Sequence, residues 1–288
     1  MARIAFIGLG VMGAPMAGHL AANGHDVVVF NRTRAKADQW VAQHGGSAAA
    51  TPAAAAAGCQ AVVTCVGNDD DLAAVTLGAD GAIPAMADGA VFIDHTTVSG
   101  TIARHLAEVA SERGLLAVDA PVSGGQAGAQ KGALSIMCGG TPEALEAARP
   151  VMEAYGARIV HVGGPGAGQV TKMVNQIAIA GVLGGLSEAV RFGERAGLDM
   201  DRVFEAVSGG AAQSWQMVNR WETMTRDQFD FGFAIEWMQK DLGLALAEAR
   251  VIGATLPVTA LVDQFYAQVA SMGGSRQDTS ALIRHLPR

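Results

Sequence analysis

A lysine and two amide side chains recur at helical spacing in the middle of the chain. Lys172, Asn175 and Gln176 lie at positions i, i+3 and i+4 in the segment GPGAGQVTKMVNQ, so a helix places all three on one face. The other positions are largely apolar, and a buried ammonium is costly unless polar groups accompany it. The spacing predicts a preorganised site whose ammonium can donate a proton or stabilise a developing negative charge. The alternative is a lysine that reaches solvent beside two surface amides.

A glycine-containing loop supplies a second group of polar donors. The segment DAPVSGGQAGAQKG begins at the end of the apolar run LLAVDA, and the carboxyl ends of parallel strands are where such sheets bind ligands. Ser123, Gly124 and Gly125 can direct backbone N–H groups and a hydroxyl at a carboxylate, because glycine permits a close approach. The loop is therefore a candidate anion site, and an ordinary glycine turn is the alternative interpretation.

The strongest local motif is a glycine loop near the start of the chain. In IAFIGLGVMGAPMAGHL the glycines form G-x-G-x-x-G, directly after an apolar run and before a helix-like stretch. In this pattern the first glycine allows a tight turn, the second lets a pyrophosphate approach the backbone, and the third lets helix and strand pack closely. The helix N-terminus adds N–H donors and a positive dipole. We therefore expect a dinucleotide to contact Gly8, Gly10, Val11, Met12 and Gly13.

The end of the second apolar run distinguishes between the two nicotinamide dinucleotides. NAD sites usually place Asp or Glu there to bind the ribose 2′-hydroxyl, whereas this chain has Asn31, followed by Arg32, Thr33 and Arg34. A guanidinium and a hydroxyl can bind a 2′-phosphate, and we expect no carboxylate to repel it. The sequence therefore favours NADP, with NAD as the alternative. Two solvated arginines at the start of a helix are the other interpretation.

The apolar pattern of the first half predicts the scaffold that positions these groups. Short continuous apolar runs alternate with helix-like stretches, which is the βαβ rhythm of a parallel sheet covered on both faces. The Ala-rich segment 47–57 fits this scheme, because Thr51-Pro52 can start a helix. We predict an α/β fold, with an N-terminal Rossmann doubly wound parallel sheet over residues 1–162. The five predicted strands are RIAFIG, DVVVFN, AVVTCV, AVFIDH and LLAVDA.

The pattern changes to helical after His161. From Gln169 onward apolar residues recur at helical spacing over one long segment, and no convincing strand follows. We predict an all-helical C-terminal domain over residues 163–288, joined to the first domain by this long helix. Further helices are predicted around 200–208, 212–225, 234–252 and 257–271, with breaks at Gly209-Gly210, Gly253 and Pro257.

Composition and charge exclude several classes of protein. The net charge is −7 and the pI is near 5.5, with no basic stripe of the kind that binds nucleic acid. The three cysteines show no CxxC spacing, which predicts neither disulfides nor a metal site and fits a reducing cytosol. No signal-peptide pattern follows Met1, and no run reaches the roughly 18 apolar residues of a membrane span. We predict a cytoplasmic protein without membrane or nucleic-acid partners.

Taken together, these motifs resemble those of the β-hydroxyacid dehydrogenases, the family of 3-hydroxyisobutyrate dehydrogenase and tartronate semialdehyde reductase. The resemblance covers nearly the full length, and the motifs follow the family's order. Members of this family pair a Rossmann domain with a helical domain through one long helix, and the helical domain commonly builds a dimer or a tetramer. The matching segments are GLGVMGAPMAGHL, DHTTVS, DAPVSGG, GAGQVTKMVNQ and FAIEWMQKDLGLA.

The resemblance implies roles for individual residues. Lys172 matches the catalytic lysine, and Asn175 matches the amide that helps to hold the substrate. Ser123, Gly124 and Gly125 match the loop that binds the substrate carboxylate. The further positions implied to contact the cofactor are Val66, Gly67, Thr97 and Lys240, and the further positions implied at the substrate are Gln176 and Phe233.

Three departures from the family pattern bear on substrate and cofactor. Gln176 stands where the family often has a second Asn, so it can enlarge or rearrange the substrate pocket. Val66-Gly67 replaces a frequent Leu-Pro. Asn31-Arg32-Thr33 departs from the acidic residue of NAD-using members and resembles the glyoxylate and succinic semialdehyde reductase branch. The cofactor and the substrate class therefore need not follow the 3-hydroxyisobutyrate name.

The predicted function is reversible hydride transfer between NADP, or NAD, and a small anionic β-hydroxyacid or semialdehyde acid, with Lys172 as the acid. Two other functions stay open. An NADPH-dependent imine reductase shares the fold and cofactor, but that branch usually lacks a lysine at the position of Lys172. A non-catalytic dinucleotide-binding module would not need Lys172, Asn175 and Ser123 together. We expect a homodimer or a homotetramer.

Overall fold

The structure of the protein is a computed structural model, and it describes residues 1–287. The chain divides into two compact units, one of Met1–Lys172 and one that begins at Met173. The first unit combines a sheet with helices, and the second is helical. This is the predicted fold class, an α/β domain followed by a helical one.

The first unit is built on one nine-stranded sheet. The strands are β1 (Arg3–Ile7), β2 (Asp26–Phe30), β3 (Ser47–Ala48), β4 (Ala61–Thr64), β5 (Val91–Asp94), β6 (Leu116–Asp119), β7 (Val122–Ser123), β8 (Leu134–Gly140) and β9 (Gly156–Gly163). Their order is β3-β2-β1-β4-β5-β6-β8-β7, and β9 pairs with β8. The six strands from β1 to β6 pair in parallel, whereas β8 runs antiparallel to both β6 and β7. The five predicted strands are β1, β2, β4, β5 and β6; the antiparallel edge was not predicted.

The central strands send alternate side chains into two separate cores. In β1, Ile4 and Phe6 belong to one core and Ala5 and Ile7 to the other, and all four are fully buried. Burial on both faces explains why these strands read as continuous apolar runs. The helices that contribute to the first core are α1 (Gly13–Ala22), α2 (Arg34–His44), α6 (Gly125–Gln130) and α7 (Pro142–Met152). Those that contribute to the second are α3 (Pro52–Ala56), α4 (Asp69–Leu77) and α5 (Gly100–Glu112).

The alanine-rich segment is ordered, and its helix begins where the sequence predicts. The Thr51 hydroxyl accepts a hydrogen bond from the Ala54 N–H at 3.1 Å, and Pro52 takes the first helical position. A threonine cap satisfies one of the unpaired N–H groups of the first turn, and proline there loses no hydrogen bond. Ala55 and Ala56 are fully buried, so α3 packs into the sheet rather than forming a loop.

The second unit is a helical assembly with its own apolar core. The long helix α8 (Ala167–Arg195) begins in the first unit and continues into the second, as predicted for the helix from Gln169. The remaining helices are α9 (Met200–Val207), α10 (Trp215–Thr225), α11 (Ile235–Ile252) and α12 (Pro257–Val269), followed by a short π-helical segment (Ala270–Gly274) and a 3₁₀ helix (Thr279–His285). Gly253 ends α11 in the left-handed conformation at φ +74°, and Pro257 starts α12.

Among the described residues, one helix is long and apolar enough to cross a membrane, and that helix is α8. Length and composition are weak grounds here, because the core helix of a soluble protein passes the same test. The helix also carries buried polar side chains at Lys172, Gln176 and Arg191. Lipid offers no partners to such groups, so their burial fits a helix packed inside protein.

Candidate active site

The glycine loop has the geometry that close approach of a pyrophosphate requires. Gly8 has φ +102°, and a Cβ there would overlap the carbonyl oxygen of Cys65. A Cβ at Gly13 would overlap the Gly8 carbonyl oxygen, so both positions exclude any side chain. A Cβ at Gly10 would meet nothing within 4 Å beyond its own neighbours. Gly8 and Gly13 therefore shape the loop, and Gly10 leaves the space that a ligand can approach.

The first turn of α1 is directed at the same space. Met12 occupies the cap position without any side-chain hydrogen bond to the helix, and Val11 beside it is exposed. The Ala14 N–H donates to the Gly10 carbonyl oxygen at 3.1 Å and Pro15 has no N–H, so what this end offers an anion is mainly its positive dipole. The residues present fit a dinucleotide at this loop.

Asn31 connects the end of β2 to the glycine loop. Its side-chain oxygen accepts a hydrogen bond from the Leu9 N–H at 3.0 Å, and its amide nitrogen donates to the Thr33 carbonyl oxygen at 3.0 Å. Leu9 lies between two of the motif glycines, so Asn31 holds the loop in place. An aspartate could accept the same N–H but could not donate to Thr33. The asparagine therefore has a structural role as well as the one predicted at the ribose.

The structure corrects one expectation about the arginines after Asn31. Arg32 extends into solvent, and its Nη1 donates to Asp71 Oδ1 at 2.9 Å. Arg34 donates to Asp38 at 2.8 Å. A carboxylate therefore does stand beside Arg32, because the sheet brings the first turn of α4 next to the end of β2. Sequence reasoning missed Asp71 because it lies 39 residues away along the chain.

Val66, Gly67 and Thr97 follow the carboxyl ends of β4 and β5. β4 pairs with β1 and β5 pairs with β4, all in parallel, so the three residues lie at the same edge of the sheet as the glycine loop. The Val66 N–H donates to the Thr96 hydroxyl at 3.1 Å, which joins the two loops. Ligands of parallel α/β sheets bind at this edge. All the predicted cofactor-binding residues of the first unit therefore lie at the carboxyl edge of its sheet; Lys240 belongs to the second unit.

The predicted anion loop lies at the start of α6. Ser123 ends the short strand β7 and is half-buried, whereas Gly124 and Gly125 are exposed. Their φ values of +126° and +61° lie in the region that favours glycine. The loop therefore exposes its backbone, which is the property that an anion-binding loop needs.

Lys172 is buried beside this loop. Its side chain is among the buried polar groups of the first unit, and Nζ donates to the Val122 carbonyl oxygen at 3.0 Å. Val122 directly precedes Ser123, so the ammonium is held next to the exposed Ser123–Gly125 backbone. The structure therefore does not show a lysine that extends along the helix to solvent. It brings together the ammonium and the donor loop, which the sequence predicted separately.

Asn175 and Gln176 belong to a polar chain inside the second unit. The Asn175 side chain donates to the Gln176 side-chain oxygen at 2.7 Å, and Gln176 donates to Asp241 Oδ2 at 2.8 Å. Lys240 lies 3.3 Å from the other oxygen of Asp241. Gln176 and Asp241 are both buried. Asp241 was missed by sequence reasoning, and its place directly after Lys240 was the available signal.

Phe233 is partly exposed and lies on a loop that Asp278 holds. The Phe233 N–H donates to Asp278 Oδ2 at 3.0 Å, and Arg220 donates to Asp278 Oδ1 at 3.0 Å. A Cβ at Gly232, where φ is +76°, would overlap the same carboxylate. Asp278 itself is buried. The backbone around Phe233 is therefore held in place by hydrogen bonds to Asp278.

Two buried carboxyl groups lie beneath the loops at the carboxyl edge. Burial raises the pKa of Asp94 to about 7, against the lowering effect of hydrogen bonds from Thr96 and Thr64. Burial likewise raises the pKa of Asp119 to about 6, although the N–H groups of Gly166 and Gln169 lower it. Within residues 1–287, Asp94 Oδ2 is buried without a hydrogen-bond partner, which favours a protonated carboxyl group.

These pKa shifts predict that stability falls as the pH rises. The folded protein holds the Asp94 proton more tightly than the unfolded chain, so the stabilisation is complete below about pH 4 and is lost as the pH approaches about 7. The slope is at most roughly 1.4 kcal/mol per pH unit. We expect Asp94→Asn to flatten the dependence of the unfolding midpoint on pH between about 5 and 8. Asp88→Asn on the exposed surface is the control, and an equally steep curve in Asp94→Asn would contradict the assignment.

Parallel strands β1 to β6, with G-x-G-x-x-G after the first of them, define a Rossmann dinucleotide-binding fold, which is common among oxidoreductases. Comparison with known families agrees. Residues 3–163 match the family described as the NAD binding domain of 6-phosphogluconate dehydrogenase. Residues 166–286 match the family described as NAD-binding of NADP-dependent 3-hydroxyisobutyrate dehydrogenase.

Individual relatives cover the whole chain. An uncharacterized oxidoreductase of Shewanella frigidimarina is 57% identical over 288 residues, covering 100% of this chain and 99% of the relative. The 3-hydroxyisobutyrate dehydrogenase of Pseudomonas aeruginosa is 36% identical, covering 92% and 91%. A solved structure of Mycobacterium tuberculosis 3-hydroxyisobutyrate dehydrogenase with L-serine has a TM-score of 0.91 at 33% identity, covering 100% of both chains. The chain belongs to the β-hydroxyacid dehydrogenase family and is a dehydrogenase-type enzyme.

The imine reductases are more distant. A structure of the enzyme from Pseudomonas sp. has a TM-score of 0.63 at 16% identity, covering 99% of both chains. Identity at that level shows a shared fold and nothing about the reaction.

Proposed function

We infer that the protein transfers a hydride between NADP(H) and a small β-hydroxyacid, or the matching semialdehyde acid. The observation that carries this proposal is the buried Lys172, whose ammonium is held 3.0 Å from the Val122 carbonyl oxygen beside the exposed donor loop. A buried ammonium next to backbone donors suits a substrate that is anionic and that develops further negative charge. The test is a steady-state assay with glyoxylate, succinic semialdehyde, methylmalonate semialdehyde and tartronate semialdehyde, and with L-serine in the reverse direction.

Lys172 acts as the acid in the reduction. The nicotinamide, when bound, supplies the hydride to the carbonyl carbon or accepts it in the reverse reaction. Lys172 Nζ donates a proton to the carbonyl oxygen, which would otherwise become an alkoxide, and its charge stabilises that oxygen as the proton moves. The hydrogen bond to the Val122 carbonyl oxygen holds the ammonium beside the donor loop, where the substrate carbonyl is proposed to lie. Acid catalysis of this kind typically contributes about 10²–10⁴-fold to the rate.

The donor loop fixes the substrate. Ser123, Gly124 and Gly125 bind the carboxylate, and the anchored anion places the carbonyl carbon next to Lys172. The resemblance to the family supports further contacts in the second unit. These are Asn175, Gln176 and Phe233 at the substrate and Lys240 at the cofactor.

The cofactor preference depends on Arg32. We expect NADPH to bind more tightly than NADH, and Arg32→Ala to narrow the difference by about 10- to 100-fold, because the 2′-phosphate loses a charge-assisted partner worth ~1.5–3 kcal/mol. Asp71→Asn should keep or increase the preference for NADPH, because it removes the carboxylate that now accepts a hydrogen bond from the Arg32 guanidinium. Dissociation constants for the two cofactors measure this, with Arg226→Ala on the exposed surface as control. Equal dissociation constants for NADPH and NADH in the unmutated protein would contradict the proposed preference.

Two other functions are separated by the same assay. The imine reductase branch usually lacks a lysine at this position, whereas this chain holds Lys172 buried against the donor loop. NADPH consumption with cyclic imines but not with aldehyde acids would favour that function. A dinucleotide-binding module without catalysis would bind NADPH and consume it with neither substrate class.

Assembly and location complete the proposal. We expect a homodimer or homotetramer in the cytoplasm. The support is the large apolar side chains that the second unit exposes, such as Phe192 at 76% and Ile252 at 63% exposure. Sedimentation equilibrium measures the mass of the assembly, and a monomer at micromolar concentration would contradict this expectation.

A further inference from the structure

Gln169, at the start of α8, is buried within the first unit. It is fully inaccessible to solvent, and both ends of its amide are hydrogen-bonded to one loop. Oε1 accepts from the Val98 N–H at 3.1 Å, and Nε2 donates to the Thr96 carbonyl oxygen at 2.7 Å. The loop is the one that follows β5 and contains Thr97. The amide thus connects the first turn of α8 to a loop that is proposed to contact the cofactor.

The same loop is joined to the preceding one. The Thr96 hydroxyl accepts from the Val66 N–H at 3.1 Å, and the Thr96 N–H donates to Asp94 Oδ1 at 3.0 Å. Thr96 therefore contacts Val66 through its hydroxyl and Gln169 through its carbonyl. A continuous set of hydrogen bonds runs from Val66 to the helix that carries Lys172.

The start of α8 has little freedom to move around this attachment. Asp119 accepts from the Gly166 N–H at 2.8 Å and from the Gln169 N–H at 2.9 Å. A Cβ at Gly168 would overlap the Met137 carbonyl oxygen, so the helix backbone lies directly on the sheet. Lys172 follows Gln169 by three residues, about one turn further along the helix.

We propose that Gln169 is a positioning residue, which sets the place of the Lys172 ammonium relative to the loops at Val66 and Thr97. The proposal rests on the function proposed above. The reaction needs two groups, the Lys172 ammonium on α8 and the bound cofactor at the loops. Gln169 lies on the same helix as Lys172 and is hydrogen-bonded to the loop that contains Thr97. A displacement of about 1 Å between reacting groups can reduce a rate by about 100-fold. Loss of the Gln169 amide therefore acts on kcat more than on binding.

A purely structural amide would behave differently. Removing it would leave the Val98 N–H and the Thr96 carbonyl oxygen unpaired and lower the melting temperature, but the folded molecules would turn over at the normal rate. The measurement must therefore be a rate per folded enzyme rather than a stability. A double-mutant cycle with Lys172 identifies whether Gln169 acts through that residue.

The experiment measures kcat and KM for the aldehyde acid at saturating NADPH, and the NADPH dissociation constant in a separate titration. It uses the full-length protein and four variants, Gln169→Ala, Lys172→Ala, the double variant and Ser187→Ala. Ser187 is a matched control, because it is fully buried on α8 and its hydroxyl donates to the Leu183 carbonyl oxygen of the same helix at 2.7 Å. We expect Gln169→Ala to lower kcat by about 10- to 100-fold with NADPH affinity changed less than about threefold. Ser187→Ala should keep its kcat.

The cycle gives the decisive result. If Gln169 acts through Lys172, the double variant is no slower than Lys172→Ala, because the misplaced group is already absent. The proposal would be overturned if the reductions in kcat of the two single variants multiplied in the double variant. It would also be overturned if folded Gln169→Ala kept the kcat of the unmutated protein. Full activity in Lys172→Ala would instead overturn the proposed function. Should Gln169→Ala fail to fold, Gln169→Met keeps the side-chain length and removes both hydrogen bonds without adding a charge, and the same cycle applies.

Discussion

Lys172→Ala is expected to lower kcat by at least about 100-fold. The ammonium donates its proton in the transition state, so its loss removes an interaction that the ground state makes only weakly. NADPH affinity should change little, and the melting temperature by only a few degrees. Single-turnover reduction of an aldehyde acid, monitored by NADPH absorbance, measures the effect. Arg195→Ala, an exposed cation at the other end of α8, is the control.

The variant Lys172→Arg separates acid catalysis from electrostatics. A guanidinium keeps the positive charge but is a poor acid near neutral pH, so the arginine variant should be nearly as slow as the alanine variant. Substantial activity would assign Lys172 a purely electrostatic role. Comparable turnover in Lys172→Ala would remove Lys172 from the chemistry.

Neutral substrate analogues are expected to lose activity by as much as about 10⁴-fold in kcat/KM. The donors of Ser123, Gly124 and Gly125 would be left without a partner, and a site built to pair a polar group rejects its absence strongly. The loss should include kcat, because the anchored carboxylate also orients the reacting carbon. The comparison is succinic semialdehyde against its methyl ester, with NADPH as the cofactor.

A variant of the loop sharpens this comparison. Ser123→Ala removes one donor and should reduce the ratio between acid and ester mainly by slowing the acid. If the unmutated protein gave similar values for acid and ester, the Ser123–Gly125 loop would be only structural. The imine reductase function would then become the stronger proposal.

The fold was predictable where the chain repeats a simple pattern. Burial on both faces makes β1, β2, β4, β5 and β6 continuous apolar runs, and the breaks at Gly253 and Pro257 mark helix ends that the structure shows. The strands β3, β7, β8 and β9 were missed. β3 and β7 have two residues each, and β9 is largely exposed, so none of these three has a buried apolar run to detect; β8 is largely buried but ends in two glycines, which are depleted in strands.

The candidate site was predictable as separate motifs but not as an arrangement. The types and spacing of Lys172 and of the Ser123 loop were visible in the sequence, whereas the hydrogen bond through Val122 joins residues 50 positions apart. Asp71 beside Arg32 and Gln169 beside Thr96 were missed for the same reason. The order of the strands in the sheet determines which of these distant residues become neighbours, and no local sequence pattern predicts that order.

Deuterium transfer tests the central claim most directly. The full-length protein is incubated with NADPH deuterated at C4 of the nicotinamide and with an aldehyde acid such as succinic semialdehyde, and the hydroxyacid product is examined by mass spectrometry. We predict one deuterium on the carbinol carbon at a rate that depends on Lys172. A folded protein that binds NADPH but forms no deuterated hydroxyacid from any of the four aldehyde acids would contradict the account.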